Sequence, residues 1–231
     1  MGFMKITMVH GQNHKGSTYH IGKMLADKLG GEVTEFFLPK DFGHFCIGCN
    51  QCIVKDEKLC PYYKELKPLT DAIDSADVII LTSPVYVYHC TGSMKHGWIT
   101  MATDGCCTGQ TRICFPNRES VFYRSRCRNE MDQQRYGRQY VFWGMGKIYR
   151  YGTAVHAINY KSISPEKMAE IEKATDKLAE KIRKNYGHVK PVLKTKTYFE
   201  VMRKLVKSGW NEVDVAYWKE HGWTEKARPW R

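Results

Sequence analysis

Residues 4–18 read MKITMVHGQNHKGST, and this stretch decides the fold. The apolar run over residues 4–10 ends at Gly11, which predicts a short buried β-strand. A small, polar, glycine-containing loop follows, and apolar residues between Ile21 and Leu29 then recur at helical spacing until two glycines end the helix. A strand, a loop of this kind and a helix, in that order, predict a site for a phosphate, because the loop exposes backbone N–H groups and the helix dipole favours an anion there.

Strands and helices continue to alternate along the chain. Further strands are predicted over EVTEFFL (32–38), DVIILTSP (77–84) and TAVHAINY (153–160), and a helix over KELKPLTDAIDSA (64–76). This alternation predicts an α/β fold with a parallel, doubly wound sheet. In such a sheet, ligands bind beyond the carboxyl ends of the strands, where the strand order reverses.

The C-terminal third is also regular. A helix is predicted to begin with Ser164 as its N-cap and Pro165 at its first position. A second amphipathic segment, YFEVMRKLVKSGW (198–210), leads into a tail with Trp218, Trp223 and Trp230. We expect this tail to pack on the domain or on a second subunit, which leaves a homodimer open. The chain is accordingly divided into a domain over residues 1–187 and a C-terminal helical, aromatic extension over residues 188–231.

Composition limits the classes of function. The chain has 231 residues and a formal net charge of +12. The lysines and arginines are scattered, so a solvated basic surface is expected; attraction of anionic substrates such as nucleotides is the alternative, and nucleic acid is not an expected partner. The N-terminus lacks the pattern of a signal peptide, and no apolar stretch reaches the length of about 18 residues that spans a bilayer. We therefore expect a cytoplasmic protein without a membrane partner, whose thiols stay reduced.

A second loop points at the same edge of the predicted sheet. SPVYVYHCTGSMKH (83–96) follows the most apolar strand directly. Its rigid start from Pro84 to Tyr88 offers backbone N–H groups and flat side chains to an aromatic ring. The alternative interpretation is that Tyr86 and Tyr88 are half-buried residues at a strand end. In the first loop, Ser17 and Thr18 can either cap the helix or donate hydroxyls to a phosphate.

The paired stretches GQNHKGST and SPVYVYHCTGSMKH resemble those of the flavodoxin-like NAD(P)H-dependent FMN reductases, and FCIGCNQCIVKDEKLC between them resembles the iron–sulfur flavoprotein branch. The resemblance covers residues 4–96 and resumes near Phe142. It implies FMN as the cofactor and a sheet of strand order 2-1-3-4-5. Where the family often has Ser as the first loop residue, this chain has Gln12. The resemblance places the FMN phosphate at Gln12, His14, Ser17 and Thr18, and the isoalloxazine ring at Pro84, Val85, Tyr86 and Val87.

Four cysteines cluster in the loop over residues 45–61, at Cys46, Cys49, Cys52 and Cys60. Two-residue spacers bring three sulfurs close in a tight turn, and a fourth sulfur after a longer loop can complete a tetrahedron. The compact triple, and Pro61 after the last cysteine, are typical of ferredoxin-like binding of a 4Fe–4S cluster. Zinc ribbons use two separated pairs instead. Free or redox-active thiols, zinc and disulfides remain open beside the cluster.

Residues 97–141 interrupt these patterns. They lack a clear strand or helix period, and they hold four of the nine cysteines. The expected fourth strand and third flavin loop are missing from this stretch. Read in a shifted frame, its codons can encode sequence that continues the flanking family pattern; Trp98-Ile99, for example, then gives Asp. Our hypothesis is that small insertions or deletions near residues 97, 122 and 141 shifted the reading frame and restored it. We therefore assign no function to the cysteines of this segment.

Three functions follow from these patterns. The first is an NAD(P)H-dependent flavin oxidoreductase or electron-transfer flavoprotein, in which electrons pass between NAD(P)H or a ferredoxin-like donor, FMN and a 4Fe–4S cluster. In this function the cofactors supply the chemistry, and no catalytic side chain is assigned. The second is a cluster-free NAD(P)H-dependent reductase of FMN, quinones, nitro or azo compounds. The third is a cofactor-free product of a damaged gene.

Overall fold

The computed structural model describes residues 3–86, 89–100, 119–125, 145–191, 193–209 and 212–230. The strands are β1 Lys5–His10, β2 Glu32–Phe37, β3 Val78–Pro84, β4 Glu119–Ser125 and β5 Lys147–Thr153. The helices are α1 Ser17–Leu29, α2 Gln51–Val54, α3 Tyr63–Ser75, α4 Gly92–Thr100, α5 Pro165–Asn185, α6 Leu193–Lys207 and α7 Glu212–Glu220, with 3₁₀ turns at Glu57–Leu59 and Tyr160–Ser162.

The strands form one parallel sheet in the order β2-β1-β3-β4-β5. Alternate residues of the central strands point to opposite faces, since the side-chain period of a strand is two. Val9, Ile79 and Leu81 pack on one face with apolar residues of α3. Ile6, Met8 and Ile80 pack on the other face with α1 and α5. Both faces are therefore covered by helices, which confirms the predicted doubly wound, flavodoxin-like α/β fold.

The packing of α1 on the sheet depends on one glycine. A Cβ at Gly22 would lie 2.5 Å from Thr82 Cγ2 and 3.3 Å from Met8 Cε. Helix α1 therefore approaches β1 and β3 as closely as a bare backbone allows. The N-terminus of α5 follows the sequence prediction: the Ser164 side chain accepts a hydrogen bond from the Lys167 N–H at 3.3 Å, and Pro165 is the first helical residue.

The strand predicted at 153–160 was wrong, because β5 ends where that stretch begins. The strand is KIYRYGT (147–153), which pairs with β4 along its whole length. Beyond Thr153 the backbone leaves the sheet: His156 has a φ of 47°, in the left-handed region that strands do not use. Asn159 and Ser162 then form a capping box around the 3₁₀ turn.

The expectation that residues 97–141 lack a strand was also wrong. β4 lies inside this segment and pairs with β3 on one side and β5 on the other. Its sequence, ESVFYRS, contains Val, Phe and Tyr in succession, residues that favour strands. Helix α4 likewise continues into the segment as far as Thr100. The remainder, and with it the third flavin loop, lies outside the described residues, and the frame-shift hypothesis stays a prediction.

The C-terminal helices form an aromatic cluster of their own. Phe199 of α6 stacks on Trp218 of α7 with ring centroids 4.8 Å apart, and Trp230 meets the same ring edge-on at 5.0 Å. Trp223 completes the cluster, which is distinct from the clusters on the two faces of the sheet. The tail thus packs on α6 within the extension. The division of the chain at residue 188 stays a prediction. Within the residues that the structure describes, no helix is long and apolar enough to cross a membrane.

We expect Gly22→Ala to destabilise the fold and Gly92→Ala, its matched control, to be neutral or stabilising. Overpacking costs about 1–3 kcal/mol, against a helix-propensity gain of about 1 kcal/mol for replacing glycine. A Cβ at Gly92, in the first turn of α4, meets nothing within 4 Å. Urea unfolding should therefore separate the two variants by about 1–3 kcal/mol. Equal stability of the two variants would contradict the close approach of α1 to the sheet.

Asp214 makes the stability of the extension depend on pH. This carboxyl of α7 is 1% exposed, and within the described part of the chain neither oxygen has a hydrogen-bond partner. Burial raises its pKa from 3.8 to about 7. Because the folded state holds the proton more tightly than the unfolded chain, stability falls as the pH rises from about 4 to about 7, by at most about 1.4 kcal/mol per pH unit.

We expect Asp214→Asn to remove this fall and to be more stable than the wild type at pH 8. Thermal unfolding followed by tryptophan fluorescence at pH 5 and pH 8 measures the effect. Asp56→Asn is the control, since Asp56 is in a solvent-facing turn where its carboxylate accepts a hydrogen bond from the Lys58 N–H. A wild type whose stability is unchanged between the two pH values would show that Asp214 is not held protonated.

Candidate functional site

A cavity of about 510 Å³ opens at the carboxyl edge of the sheet. Three segments line it: the loop from β1 into α1, the end of β3, and the chain that follows β5. Its volume falls in the range of small-molecule sites. The seven sequence-predicted cofactor residues that the structure describes all line this cavity, and Val87 lies outside the described residues. The seven are Gln12, His14, Ser17, Thr18, Pro84, Val85 and Tyr86.

The N-terminus of α1 is left open toward an anion. The N-cap is Gly16, which has no side chain to accept a hydrogen bond from the first-turn amides, and that turn contains no acidic residue. Ser17 and Thr18 are therefore the first helical residues and not caps. The first-turn N–H groups, which no side chain caps, and the positive end of the helix dipole favour a negatively charged ligand.

Gly11 brings the first loop against the second. Its N–H donates to the Thr82 carbonyl at 2.8 Å. A Cβ at this position would lie 2.6 Å from Thr91 Oγ1 and 3.1 Å from Met94 Cβ. Only glycine leaves room for this approach, so Gly11 sets the distance between the loop that holds the helix N-terminus and the loop after β3.

The loop after β3 is closed by two backbone hydrogen bonds. The Tyr86 N–H donates to the His89 carbonyl and the His89 N–H donates to the Tyr86 carbonyl, both at 2.8 Å. Behind this turn the Thr91 N–H donates to Ser83 Oγ at 3.1 Å. The Tyr86 side chain is 50% exposed and lines the cavity. Tyr86 therefore lies beside the cavity, and its half-buried state fits both interpretations of this loop, so its role against a ring stays a prediction.

The charges around the cavity favour an anion. Its described lining contains Lys15, His10 and His14 but no aspartate or glutamate. His10 is 2% exposed, and its Nδ1 lies 2.7 Å from Thr82 Oγ1. Burial, together with the positive charges of Lys15 and Lys23, lowers the pKa of His10 to about 4. The imidazole is neutral near pH 7, so its 3.6 Å approach to the Glu35 carboxylate is not an ion pair.

The four predicted metal ligands surround a second, smaller cavity. Cys46, Cys49, Cys52 and Cys60 line it together with apolar side chains, among them Ile99 of α4. All four are free thiols. Burial and the neighbouring Cys60, Cys49 and Cys46 raise the pKa of the Cys52 thiol. The sulfurs are thus near one another, but in the described ranges no group of three or more His, Cys, Asp or Glu side chains is placed to hold one metal ion.

Residues 4–98 match the family of NADPH-dependent FMN reductases. This match confirms the resemblance that the paired loops predict. An iron–sulfur flavoprotein of Archaeoglobus fulgidus is 32% identical over 69 residues, which span 30% of this chain and 30% of that protein. The chain therefore matches less than a third of the length of this curated relative.

Solved structures share the fold. An NAD(P)H:quinone oxidoreductase from Methanothermobacter marburgensis is 13% identical with a TM-score of 0.57, covering 77% of this chain and 96% of its own. A flavone reductase is 15% identical with a TM-score of 0.56, covering 82% of this chain and 66% of its own. An azoreductase from Bacillus anthracis str. Sterne is 12% identical with a TM-score of 0.54, and the match covers 78% of this chain and 98% of the azoreductase. At these identities the likeness establishes the flavodoxin-like fold alone.

Sequence reasoning missed part of the lining. His10 and Lys15 belong to the cavity, as do Val155 and residues 157–160. Tyr160 also stacks on His20 of α1 with centroids 4.3 Å apart. The rule that loops after parallel strands meet at one edge of the sheet points to the residues after β5, but the sequence pattern predicts a strand over them. The sequence pattern presents His10 only as the last residue of a buried strand.

Proposed function

We propose that this protein is an FMN-dependent NAD(P)H oxidoreductase. The observation that carries the proposal is a cavity at the carboxyl edge of the sheet that is lined by seven of the eight predicted FMN residues, from both loops. The match of residues 4–98 to the FMN reductase family supports it independently of the cavity. A nicotinamide nucleotide is the proposed electron donor. A ferredoxin-like donor and a homodimer remain predictions.

The cavity suits FMN at both of its ends. The uncapped N-terminus of α1, with Gln12, His14, Ser17 and Thr18 around it, would hold the phosphate, and the absence of carboxylates from the described lining fits a dianion. Pro84, Val85 and Tyr86 would lie against the ring, with Val87 next to them in sequence. When bound, FMN supplies hydride transfer and single-electron transfer.

The chain's own residues position and shield the ligand. Pro84 and Val85 present apolar surface, and the Tyr86–His89 hydrogen bonds fix the turn that carries Tyr86. Val155, Ala157 and Ile158 add apolar lining from the chain that follows β5. These groups orient a flat ring and exclude water from it, and no described side chain needs to act as an acid or a base.

The thiols of the cysteine loop would hold a 4Fe–4S cluster. Four sulfur donors around one cavity fit the chemistry of such a group, and the local likeness to an iron–sulfur flavoprotein points the same way. In this proposal Cys46, Cys49, Cys52 and Cys60 are the ligands. The loop leaves the carboxyl end of β2, beside β1, so it emerges at the edge of the sheet where the larger cavity opens.

A cluster-free reductase is the second candidate. It is favoured by the lack, in the described residues, of any side-chain group placed to hold one metal ion. In that function the cysteines of residues 45–61 are ordinary thiols, and reduction of FMN, quinones, nitro or azo compounds needs only the larger cavity.

Binding of FMN to the flavin-free protein tests the proposed function. We expect FMN fluorescence to be quenched on titration, and Lys15→Gln to weaken FMN binding about tenfold, the size of one charged contact to phosphate. Riboflavin lacks the phosphate, so its affinity should not change in this variant. Lys64→Gln, on the exposed side of α3, is the control. Absence of quenching by FMN would overturn the proposal.

Iron analysis of anaerobically purified protein separates the two candidates. With a cluster, the wild type should contain about four irons per chain, because a 4Fe–4S centre is held by four cysteines. Cys52→Ala should lose the iron and keep FMN. Cys90→Ala is the matched control, since Cys90 is a partly buried cysteine outside any disulfide and does not line the cysteine cavity. Iron-free wild type with bound FMN would select the cluster-free reductase, and wild-type iron content in Cys52→Ala would exclude the proposed ligands.

A further inference from the structure

His10 is a buried polar residue that the proposed phosphate contacts leave unexplained. It lines the cavity from the end of β1, just before the phosphate loop, and is 2% exposed. Its Nδ1 meets Thr82 Oγ1, while its Nε2 is buried and has no hydrogen-bond partner among the described residues. A buried polar atom without a partner is costly unless a ligand or an ion satisfies it.

Every element packed against His10 presents a group that bears on its charge. On α1 the Tyr19 ring lies 5.0 Å away, and Lys23 contributes positive charge. On β2 the Phe37 ring stacks at 4.5 Å, and Glu35 Oε2 lies 3.6 Å from Nε2. On β3 the neighbour is the Thr82 hydroxyl, which does not titrate near neutral pH. From the loop, Lys15 adds a second positive charge.

The Glu35 carboxylate beside His10 also forms an ion pair with Lys23. Glu35 Oε1 lies 3.5 Å from Lys23 Nζ, which in turn lies 3.3 Å from Asp27. The imidazole is therefore subject to the positive charges of two lysines and lies beside one carboxylate that is already paired. In the ligand-free protein this balance disfavours an imidazolium at His10.

We propose that His10 takes up a proton when a phosphate monoester binds in this cavity, so that the imidazolium balances part of the phosphate charge. This inference rests on the proposed function, in which FMN is the phosphate monoester. It goes beyond that function because it assigns a titrating partner to the ligand and makes binding depend on pH.

The charges present explain why the proton is needed. A phosphate monoester carries between about −1.5 and −2 charges at pH 7. Lys15 and the N-terminus of α1 supply roughly +1.5 between them. A nearby anion reverses the effect of the two lysines and raises the pKa of His10 from its ligand-free value of about 4 toward neutrality. Glu35 then gains an imidazolium at 3.6 Å and further stabilises the protonated ring.

The proton balance distinguishes this mechanism from simple anion binding. The second ionisation of a phosphate monoester has a pKa of about 6, and a positively charged site lowers that pKa. Without a protein group that accepts a proton, binding at pH 6.5 therefore releases protons. With His10 as the acceptor, one proton is taken up by the ring, and the net change moves toward uptake by up to about one proton per site.

Calorimetric titration of the flavin-free protein with FMN, at pH 6.5 in two buffers of different ionisation enthalpy, counts these protons. We expect net uptake in the wild type and net release in His10→Gln, a variant whose amide takes up no proton in this pH range. His188→Gln is the matched control, because His188 is an exposed histidine after α5 and does not line the cavity. Riboflavin should bind without the difference between wild type and His10→Gln, since it carries no phosphate.

Nuclear magnetic resonance of the wild-type histidine rings provides a reading that does not depend on a variant. The His10 ring should show the shifts of a neutral imidazole at pH 6.5 without ligand and of an imidazolium with FMN. Relative to His10→Gln, the wild-type affinity for FMN should rise as the pH falls from 8 to 6, by up to tenfold per pH unit.

FMN binding with equal proton release in wild type and His10→Gln, and a ring that stays neutral, would overturn this inference alone. Proton uptake on riboflavin binding would overturn it as well, because the phosphate would not be the cause. Failure of FMN to bind at all would instead overturn the proposed function, and this inference with it.

Discussion

The parallel pairing of β1 with β3 is the constraint on which the site depends. The register pairs His10 with Thr82, so the two strands end side by side and their loops leave the sheet together. The His10–Thr82 side-chain contact and the hydrogen bond from Gly11 to the Thr82 carbonyl extend this pairing beyond the ladder. A shift of one residue would turn His10 to the opposite face of the sheet and separate the phosphate loop from the loop that begins at Pro84. The close packing of α1 against the sheet at Gly22 holds the N-terminus of this helix near the same two strands.

The parts of the fold that could be predicted are those with a strong local pattern. Fully buried strands such as β1 and β3 are continuous apolar runs, and glycines or proline bound them, so their existence and order could be read directly. The helix after Ser164 carries its own cap. β5 could not be placed, because KIYRYGT mixes charged and aromatic residues and TAVHAINY is more apolar, although His156 takes a backbone conformation that no strand tolerates. β4 was missed for a similar reason: a short run of strand-forming residues inside a segment of unusual composition gave no periodic signal. The misplacement of β5 also hid the cavity lining that follows this strand.

Helix α4 contacts both the loop after β3 and the start of the cysteine loop over residues 45–61. Ser83 accepts a hydrogen bond from the Thr91 N–H, and Thr91 in turn caps α4 by accepting from the Met94 N–H at 3.2 Å. His96 of the same helix contacts the Phe45 ring at 4.2 Å, directly before the first cysteine. The end of β3 and the start of the cysteine loop are therefore attached to one short helix. The spacing of the cysteines could suggest that their sulfurs meet, but this connection involves contacts far apart in sequence, which no local pattern encodes.

The net charge of +12 and the chemistry of the cavity are separate matters. Many of the described basic residues lie on helices, where salt screens those that are exposed, and several are paired with acidic neighbours such as Asp71 and Asp176. Inside the cavity the positive potential comes from few sources: Lys15, the first turn of α1 and, at one remove, Lys23. These groups suppress the charge of the one imidazole buried among them, so the ligand-free cavity is less positive than its composition suggests. The charge of the site can therefore change when a dianion binds. Once the buried His10 ring takes up a proton, the partly exposed Glu35 carboxylate stabilises it.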